Sequence, residues 1–288
     1  MEQKVREVLS PDQRSGQDKL LKKLYGSVLG RTFLKPLTAP WLSKVAGWFL
    51  STGASRIFIK GFVRKHKIDL TQFESVKYRS YNEFFFRKIR PELRPVDMDP
   101  RHFISPCDSK LTVMPITPEG RFMLKHTEYT VASLLKNDQL AEEFTGGYAM
   151  VFRLTVDDYH RYCYSVDGEK APNVFIPGKL HTVNPIANDY FPIYKENSRE
   201  YTWVENPVFG KVLTVEVGAL LVGKIVNHHG QTTVTRGQEK GYFQFGGSTV
   251  VVLIKAGKLR LDQELLDNSA AGLETVVRYG EGIGEAME

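Results

Sequence analysis

Beyond residue 109 the chain is divided into short apolar runs, each four to eight residues long and bounded by glycine, proline, asparagine, aspartate or other polar residues. Runs of this length are too short for most helices and are typical of strands joined by turns. They therefore predict an antiparallel β body, arranged as a sandwich or a barrel. The runs are Lys110–Met114, Tyr148–Thr155, Asn173–Ile176, Val212–Val217, Leu220–Val226, Thr232–Thr235, Tyr242–Phe245, Val250–Ile254 and Thr275–Tyr279.

The first third of the chain has a different pattern. Apolar residues recur at helical spacing from about Lys19 to Lys67, with breaks at prolines 36 and 40 and at Gly53. Further helices are predicted over Tyr81–Ile89 and Val131–Leu135. Helices followed by strands indicate an α+β fold. We predict an N-terminal helical region over residues 1–100 and a β-rich body over residues 101–288.

Positive charge is concentrated at the N-terminus. Residues 1–67 hold 14 Lys and Arg against 4 Asp and Glu, a net charge of +10, whereas the whole chain has a net charge of +6. Aromatic and aliphatic residues accompany these charges. The combination favours either an amphipathic region lying on an anionic lipid surface or a helical layer packed on the body with solvated lysines. A nucleic-acid partner is not expected, because no basic recognition module is present.

Neither a disulfide framework nor a membrane anchor is expected. The two cysteines, Cys107 and Cys163, are too few for a framework and indicate a reducing compartment. The most apolar segment, Trp41–Val63, is interrupted by three basic residues, and the first twenty residues lack the apolar core of a signal peptide.

The sequence Gly246-Gly247-Ser248-Thr249 is an unusual entry to a buried strand. It precedes the run Val250–Ile254, and glycine there weakens a strand because it adds backbone entropy and packs nothing. One interpretation is a glycine bulge. The other is a reactive serine, with glycines that allow close approach to the Gly247 carbonyl, so that Ser248 attacks it and the chain cuts itself.

A serine nucleophile needs a base and, usually, an orienting acid. His160 follows an apolar run within Asp157-Asp158-Tyr159-His160-Arg161, and Asp108 follows a Ser-Pro turn; either residue also fits a structural role. His181 is a second candidate histidine. Nothing in the sequence near Cys107 activates its thiol. The pair His228-His229 lacks a third ligand at zinc spacing, so no metal is expected.

Eight short motifs occur in a fixed order along the chain. They are Tyr81-Asn82-Glu83-Phe84-Phe85-Phe86-Arg87, Arg90-Pro91 with Arg94-Pro95, Ser105-Pro106 with Asp108, Asp158-Tyr159-His160-Arg161, Val183-Asn184-Pro185, Val217-Gly218-Ala219 with Val222-Gly223, Phe245-Gly246-Gly247-Ser248-Thr249 and Tyr279-Gly280-Glu281-Gly282-Ile283-Gly284. Taken together and in this order, they resemble the phosphatidylserine decarboxylases, in a bacterial-type branch with a Gly-Gly-Ser-Thr processing site. The resemblance covers roughly residues 75 to 284.

The resemblance implies a self-processing enzyme in which Asp108, His160 and Ser248 form a charge relay. The chain would be cut between Gly247 and Ser248 into residues 1–247 and 248–288, which remain together as a heterodimer. Ser248 would become a covalent pyruvoyl group that forms a Schiff base with the amine of phosphatidylserine, and decarboxylation gives phosphatidylethanolamine without a diffusible cofactor. The implied location is peripheral, on the cytoplasmic face of the cell membrane, where the substrate lies in an anionic surface. Association of heterodimers into a homo-oligomer is left open.

The chain departs from the family pattern at three positions. Gly246 stands where the family commonly has leucine, Ser109 where it often has glycine, and Cys163 where many members have a second histidine. The group that protonates the decarboxylated intermediate is therefore left open, and His181 is the reserve candidate for this task or for the base. Two alternatives also stay open: a serine hydrolase that uses the same three residues without self-cleavage, and a non-enzymatic peripheral membrane protein.

Overall fold

The computed structural model describes residues 6–10, 23–27, 32, 38, 40–74, 77–124, 127–182, 190–219, 224–244 and 248–287. Its helices in these ranges include α1 (Pro40–Leu50), α2 (Ile57–His66), α3 (Tyr81–Phe85), α4 (Val131–Leu135), α5 (Asp138–Glu142), α6 (Ile193–Glu196) and α7 (Gln263–Ala270). Single 3₁₀ turns occupy Gly53–Arg56, Leu70–Gln72 and Pro91–Leu93. Among the helices described, none combines the length and the apolarity that a membrane crossing requires.

Strands make up most of the chain after residue 100. They are β1 (Val8–Leu9), β2 (His102–Ile104), β3 (Ser109–Pro115), β4 (Arg121–Leu124), β5 (Thr127–Thr130), β6 (Tyr148–Leu154), β7 (Arg161–Cys163), β8 (Gly168–Lys170), β9 (Val174–Ile176), β10 (Arg199–Asn206), β11 (Gly210–Val217), β12 (Ile225–Asn227), β13 (Thr232–Val234), β14 (Glu239–Phe243), β15 (Ser248–Ile254), β16 (Leu259–Leu261), β17 (Glu274–Val277) and β18 (Gly282–Ala286).

Ten of the described strands form one antiparallel sheet. Its order is β1-β17-β3-β6-β15-β11-β10-β8-β13, and β9 pairs with β10 beside this path. Smaller sheets are formed by β12-β14-β7, by β16-β18-β2 and by β4-β5. The large sheet is open as described, with β1 and β13 at its two ends, so it does not close into a barrel.

Strand β15 lies at the centre of the large sheet. It pairs with β6 from Ser248 opposite Leu154 to Ile254 opposite Tyr148, and with β11 on its other side. All seven of its residues are buried. Strands covered on both faces carry continuous apolar runs instead of alternating ones, which explains the sequence Val250–Ile254.

The N-terminal helices pack against α3 and reach the ends of the strands. The ring of Phe62 in α2 meets Tyr81 and Phe84 at centroid distances of 5.6 and 5.9 Å. The next residue of α3, Phe85, lies 4.1 Å from the ring of His160. The helical layer therefore extends to the strand ends that carry a candidate site residue.

Most expectations about secondary structure are confirmed. An α+β arrangement with antiparallel sheets is present, and the break at Gly53 and the short helix Val131–Leu135 occur as predicted. Each apolar run overlaps a strand, although residues 220–223 and Phe245 lie outside the described residues. The barrel alternative is wrong, because the large sheet is open.

The helix predicted over Tyr81–Ile89 is too long, since α3 ends at Phe85. After that point the guanidinium of Arg87 lies over the rings of Phe73 and Phe84, and Ile89 forms a β-bridge with Phe73. Tertiary contacts thus bury these side chains on a non-helical segment, and the helical spacing of the sequence continues past the real end of the helix.

Candidate active site

Ser248 is the first residue of β15 and is fully buried. It lies opposite Leu154 at the end of β6, and Thr249 lies opposite both Arg153 and Val217. Directly paired residues of a sheet place their side chains on the same face. The Ser248 side chain therefore shares a face with the buried Leu154. Gly246 and Gly247 lie outside the described residues.

His160 ends the loop that joins β6 to β7 and is also fully buried. Its backbone carbonyl accepts a hydrogen bond of 3.0 Å from the amide of Phe243, the last residue of β14. The loop 155–160 therefore begins after Leu154, which pairs with Ser248, and ends at His160, which is hydrogen-bonded to Phe243. In the chain, β14 is followed by β15, which begins at Ser248. His160 is therefore hydrogen-bonded to the last residue of β14, and Ser248 is the first residue of the strand that comes next in sequence.

The protonation state of His160 suits a general base. Nδ1 lies 3.0 Å from the backbone carbonyl oxygen of Asp158, so Nδ1 carries the proton that it donates. Nε2 is then left with its lone pair. Burial, which disfavours the charged ring, lowers the pKa of His160 to about 3. The imidazole is therefore neutral at physiological pH and available to accept a proton.

In the described part of the chain, the buried polar atoms without a hydrogen-bond partner include Nε2 of His160, Oγ of Ser248 and Oγ1 of the adjacent Thr249. A buried polar atom without a partner costs roughly 1–3 kcal/mol, and folded proteins contain few of them. Among them, Nε2 of His160 carries the lone pair of a neutral imidazole, and Oγ of Ser248 belongs to a buried hydroxyl. The sequence alone singles out Ser248 and His160 as candidates for these positions.

Asp108 lies in the turn before β3, and its carboxylate is buried. Arg94 donates to it through Nε at 2.8 Å and through NH2 at 2.6 Å, and the amide of Tyr279 donates at 2.8 Å. These contacts join the turn to the C-terminal segment. The Nδ1 atom that a relay carboxylate would orient is held instead by the Asp158 carbonyl. The structure thus brings Asp108 to Arg94 and not into a hydrogen bond with His160.

A buried ion pair that the sequence did not reveal fixes the loop of His160. Nζ of Lys110 lies 2.6 Å from both carboxylate oxygens of Asp158 and 2.7 Å from Oγ1 of Thr155. Burial raises the pKa of Asp158, which this lysine opposes. The pair depends on the register that sets β3 beside β6, with Lys110 opposite Arg153. Only the dense cluster of charges around position 158 hinted at it.

The acidic side chains at this end of the sheet border a polar cavity of about 350 Å³ between the helical layer and the strand ends. Its lining includes Arg87, Arg94, Asp108, Lys110 and Asp158. The contact between Arg94 and Asp108 and the ion pair between Lys110 and Asp158 therefore border the same cavity.

His181 is buried. Its ring stacks on Phe191 at a centroid distance of 4.7 Å, and Nε2 lies 3.6 Å from a carboxylate oxygen of Glu196. Within the described ranges neither ring nitrogen has a hydrogen-bond partner, and burial lowers the pKa of the ring. Residues 183–185 of the neighbouring motif lie outside those ranges.

The remaining candidates have ordinary surroundings. Burial raises the pKa of Cys163 to about 12, so its thiol stays protonated and is no substitute for a second basic histidine. Burial also raises the pKa of Cys107. His228 contacts the Glu239 carboxylate at 2.7 Å, and His229 lies 3.3 Å from the hydroxyl of Tyr164.

A buried serine hydroxyl at the start of a strand and a buried neutral histidine are the residue types that an enzyme with a serine nucleophile and a general base requires. The family described as phosphatidylserine decarboxylase matches residues 81–285. The chain is 44% identical over 269 residues to phosphatidylserine decarboxylase proenzyme 2 of Clostridium acetobutylicum, covering 93% of this chain and 92% of that relative. It is 36% identical over 277 residues to a phosphatidylserine decarboxylase proenzyme of Chlamydia felis, covering 94% and 92%. The chain therefore belongs to the phosphatidylserine decarboxylase family and is an enzyme.

Proposed function

We propose that this chain is a proenzyme that cuts itself between Gly247 and Ser248 and then converts phosphatidylserine to phosphatidylethanolamine with a pyruvoyl group made from Ser248. Family membership supports the activity. The observation that carries the residue assignment is the pair of buried atoms without partners in the described ranges, Oγ of Ser248 and Nε2 of His160.

The cleavage follows from the chemistry of these two side chains. Nε2 of His160 takes the hydroxyl proton, Oγ of Ser248 attacks the Gly247 carbonyl carbon, and the proton passes to the amide nitrogen as the C–N bond breaks. The product is an ester with a free amine at residue 248. Removal of the α-proton of residue 248 then breaks the Cβ–O bond, which releases the Gly247 carboxylate and leaves dehydroalanine. Water hydrolyses its imine tautomer, ammonia leaves, and an N-terminal pyruvoyl group remains.

The surroundings of residue 248 fit such a group. The strand after it is paired on both sides, so the new terminus stays fixed when the chain is cut. The pyruvoyl group supplies an electron sink for the loss of CO₂.

Asp108 stays in the proposed set with His160 and Ser248. Its carboxylate binds Arg94 and the amide of Tyr279, and so connects the turn before β3 to the smaller of the two chains that cleavage would produce. In the uncut chain, we expect Asp108 to act by holding these two segments together, while the carbonyl of Asp158 orients the ring of His160. His181 is proposed as the reserve group for protonation of the decarboxylated intermediate.

The two processed chains are proposed to remain a heterodimer. Strand β15 lies between β6 and β11, and its residues 250–254 bury five apolar side chains. At roughly 1.5–3 kcal/mol for each, their burial is on the order of 10 kcal/mol. Arg6 adds polar contacts across the same boundary, at 2.6 Å to Glu281 and 2.8 Å to Asp262.

We further propose that the helical layer of the N-terminal region, residues 1–100, binds the anionic membrane that holds the substrate, on its cytoplasmic face. Large apolar side chains of this layer are exposed, among them Trp48 at 71% and Ile57 at 76%. Basic residues follow on α2, with Arg64 and Lys65 in its last turn. Because α3 carries Phe85 onto His160, this surface lies on the same side of the body as the base.

Intact mass measured under denaturing conditions tests the cleavage. Fresh protein is expected to give two chains, the smaller comprising 41 residues (288 − 247) with a pyruvoyl terminus. Ser248→Ala should stay whole and inactive on phosphatidylserine vesicles. Ser55→Ala, which removes another fully buried serine hydroxyl within the helical layer, should still be cut. An uncut wild-type chain that labels with a fluorophosphonate would favour the serine hydrolase instead.

Sedimentation with vesicles tests the membrane surface. The Ser248→Ala protein should sediment with phosphatidylglycerol vesicles and much less with phosphatidylcholine vesicles. Adding Trp48→Ser and Ile57→Ser should abolish sedimentation, whereas Phe175→Ser, at a 60% exposed position on β9, should not. Equal loss in both variants would contradict the assignment of the surface.

A further inference from the structure

Asn197 joins three separate segments at the entry of β15. It follows α6 and is fully buried. Its Oδ1 accepts a hydrogen bond from the amide of His181 at 2.9 Å, and its Nδ2 donates to the carbonyl oxygens of His181 at 2.8 Å and of Gly218 at 2.7 Å. Both donors of the carboxamide and one acceptor site are thus used on backbone atoms.

One of these partners stands beside the proposed nucleophile. Val217 pairs with Thr249, so one residue further along the two antiparallel strands Gly218 comes opposite Ser248. The amide of Gly218 donates to the carbonyl of Ser198 at 2.9 Å, while its carbonyl accepts from Asn197. Both polar groups of Gly218 are therefore held from the β10 side, where Asn197 and Ser198 lie.

The other partner fixes the segment of His181. The backbone of Lys179 bridges to Asn197, and the amide of Ser198 donates to the carbonyl of Lys179 at 2.8 Å. The side chain of Asn197 continues this pairing for two more hydrogen bonds. The Val183-Asn184-Pro185 motif begins two residues after His181, so it leaves from a point that Asn197 anchors.

We propose that Asn197 is a positioning residue for self-cleavage: it holds the end of β11 and the segment of His181 at fixed places around Ser248. This inference rests on the proposed function. Attack within a chain depends on the placement of the reacting atoms, and an error of about 1 Å can cost on the order of 100-fold in rate. Removing the carboxamide frees the strand end while the eight residue pairs of β10 and β11 stay in place.

Cell-free synthesis with radioactive methionine, followed by a chase, measures the rate constant of cleavage and the fraction of chains that are ever cut. Asn197→Ala is expected to lower the rate constant roughly 10- to 100-fold while most chains are still cut in the end. Asn197→Asp keeps the shape but loses both Nδ2 donors, and it should slow cleavage similarly. A defect of folding alone would lower the fraction cut and leave the rate constant of the remainder unchanged.

Asn206 provides a matched control at the opposite end of β10. It is 9% exposed and also makes three hydrogen bonds, from the amides of Val208 and Phe209 and to the carbonyl of Asp167. Asn206→Ala should keep the wild-type rate constant of cleavage. This should hold even if Asn206→Ala and Asn197→Ala lower the Tm equally when both are measured in the uncut Ser248→Ala protein. Cleavage of the Asn197 variants at the wild-type rate constant, or equal slowing in Asn206→Ala, would overturn the inference. An uncut wild-type chain would instead overturn the proposed function itself.

Discussion

Acid should lower the free energy of unfolding of this protein through His160, because burial keeps the ring of this residue from taking up a proton in the folded chain. In the folded chain the pKa of His160 is lowered to about 3, whereas an unfolded histidine titrates near 6.5. Between these two values the unfolded chain binds a proton that the folded chain does not. The free energy of unfolding therefore falls as the pH falls from about 6.5 towards 3, by about 1.4 kcal/mol for each pH unit. At pH 5 the loss is about 1.5 units, or about 2 kcal/mol.

Urea unfolding at pH 7.5 and pH 5.0 measures this effect. The comparison uses Ser248→Ala, which removes the complication of cleavage, and Ser248→Ala with His160→Gln, which removes the titrating ring. Other groups titrate alike in both proteins, so the difference between their losses isolates His160. We expect Ser248→Ala to lose about 2 kcal/mol more than the double variant on going from pH 7.5 to 5.0.

Equal losses in the two proteins would refute the reasoning, because they would mean that His160 takes up its proton in the folded state near the ordinary pKa. The cleavage rate gives a second check. Since the base is already neutral, the rate should change little between pH 8 and pH 5. A titration of the rate with a midpoint near 6.5 would contradict the buried neutral ring.

Three further outcomes are expected. Lys110→Ala leaves the Asp158 carboxylate buried without its cation, so the free energy of unfolding of the uncut chain in urea should fall by about 3–5 kcal/mol and cleavage should slow. Normal cleavage would show that the loop of His160 does not need this ion pair. Glu216→Leu should strongly destabilise the protein because it leaves the buried ammonium of Lys240, 2.6 Å away, without its counter-ion. The double variant Glu216→Leu with Lys240→Met should recover most of the stability in the same assay, and no recovery would mean that the pair is needed for more than charge balance. Arg6→Ala should let urea release the 41-residue chain from processed protein at a lower concentration, as followed by size exclusion, and an unchanged midpoint would limit retention to the strands.

Local physical patterns in the sequence were enough for part of this protein. The continuous apolar run after Ser248 indicated a strand covered on both faces, because only such a strand needs no alternation. Two glycines before a hydroxyl residue pointed to Ser248, since they weaken a strand without a packing benefit. The short helix Val131–Leu135 begins with Thr130, whose side chain accepts a hydrogen bond from the amide of Ser133. Each of these signals lies within a few residues of the feature that it predicts.

Contacts between distant residues were decided by the tertiary structure alone. The carboxylate of Asp108 pairs with Arg94 and Tyr279, and the carbonyl of Asp158 orients His160, although sequence reasoning had assigned Asp108 to the relay. The support that Lys110 gives to Asp158 spans 48 positions, and it exists because strand register sets β3 beside β6.

The physical reason for this division is the range of the forces involved. Hydrophobic periodicity and backbone preference act along the chain and can be read from neighbouring letters. The pKa of His160, its tautomer and the bonds of Asn197 depend on what packs against each group after folding. The sequence by itself thus determined the strands and singled out Ser248 as a candidate nucleophile, while the folded chain determined which atoms orient His160 and hold the strand end beside Ser248.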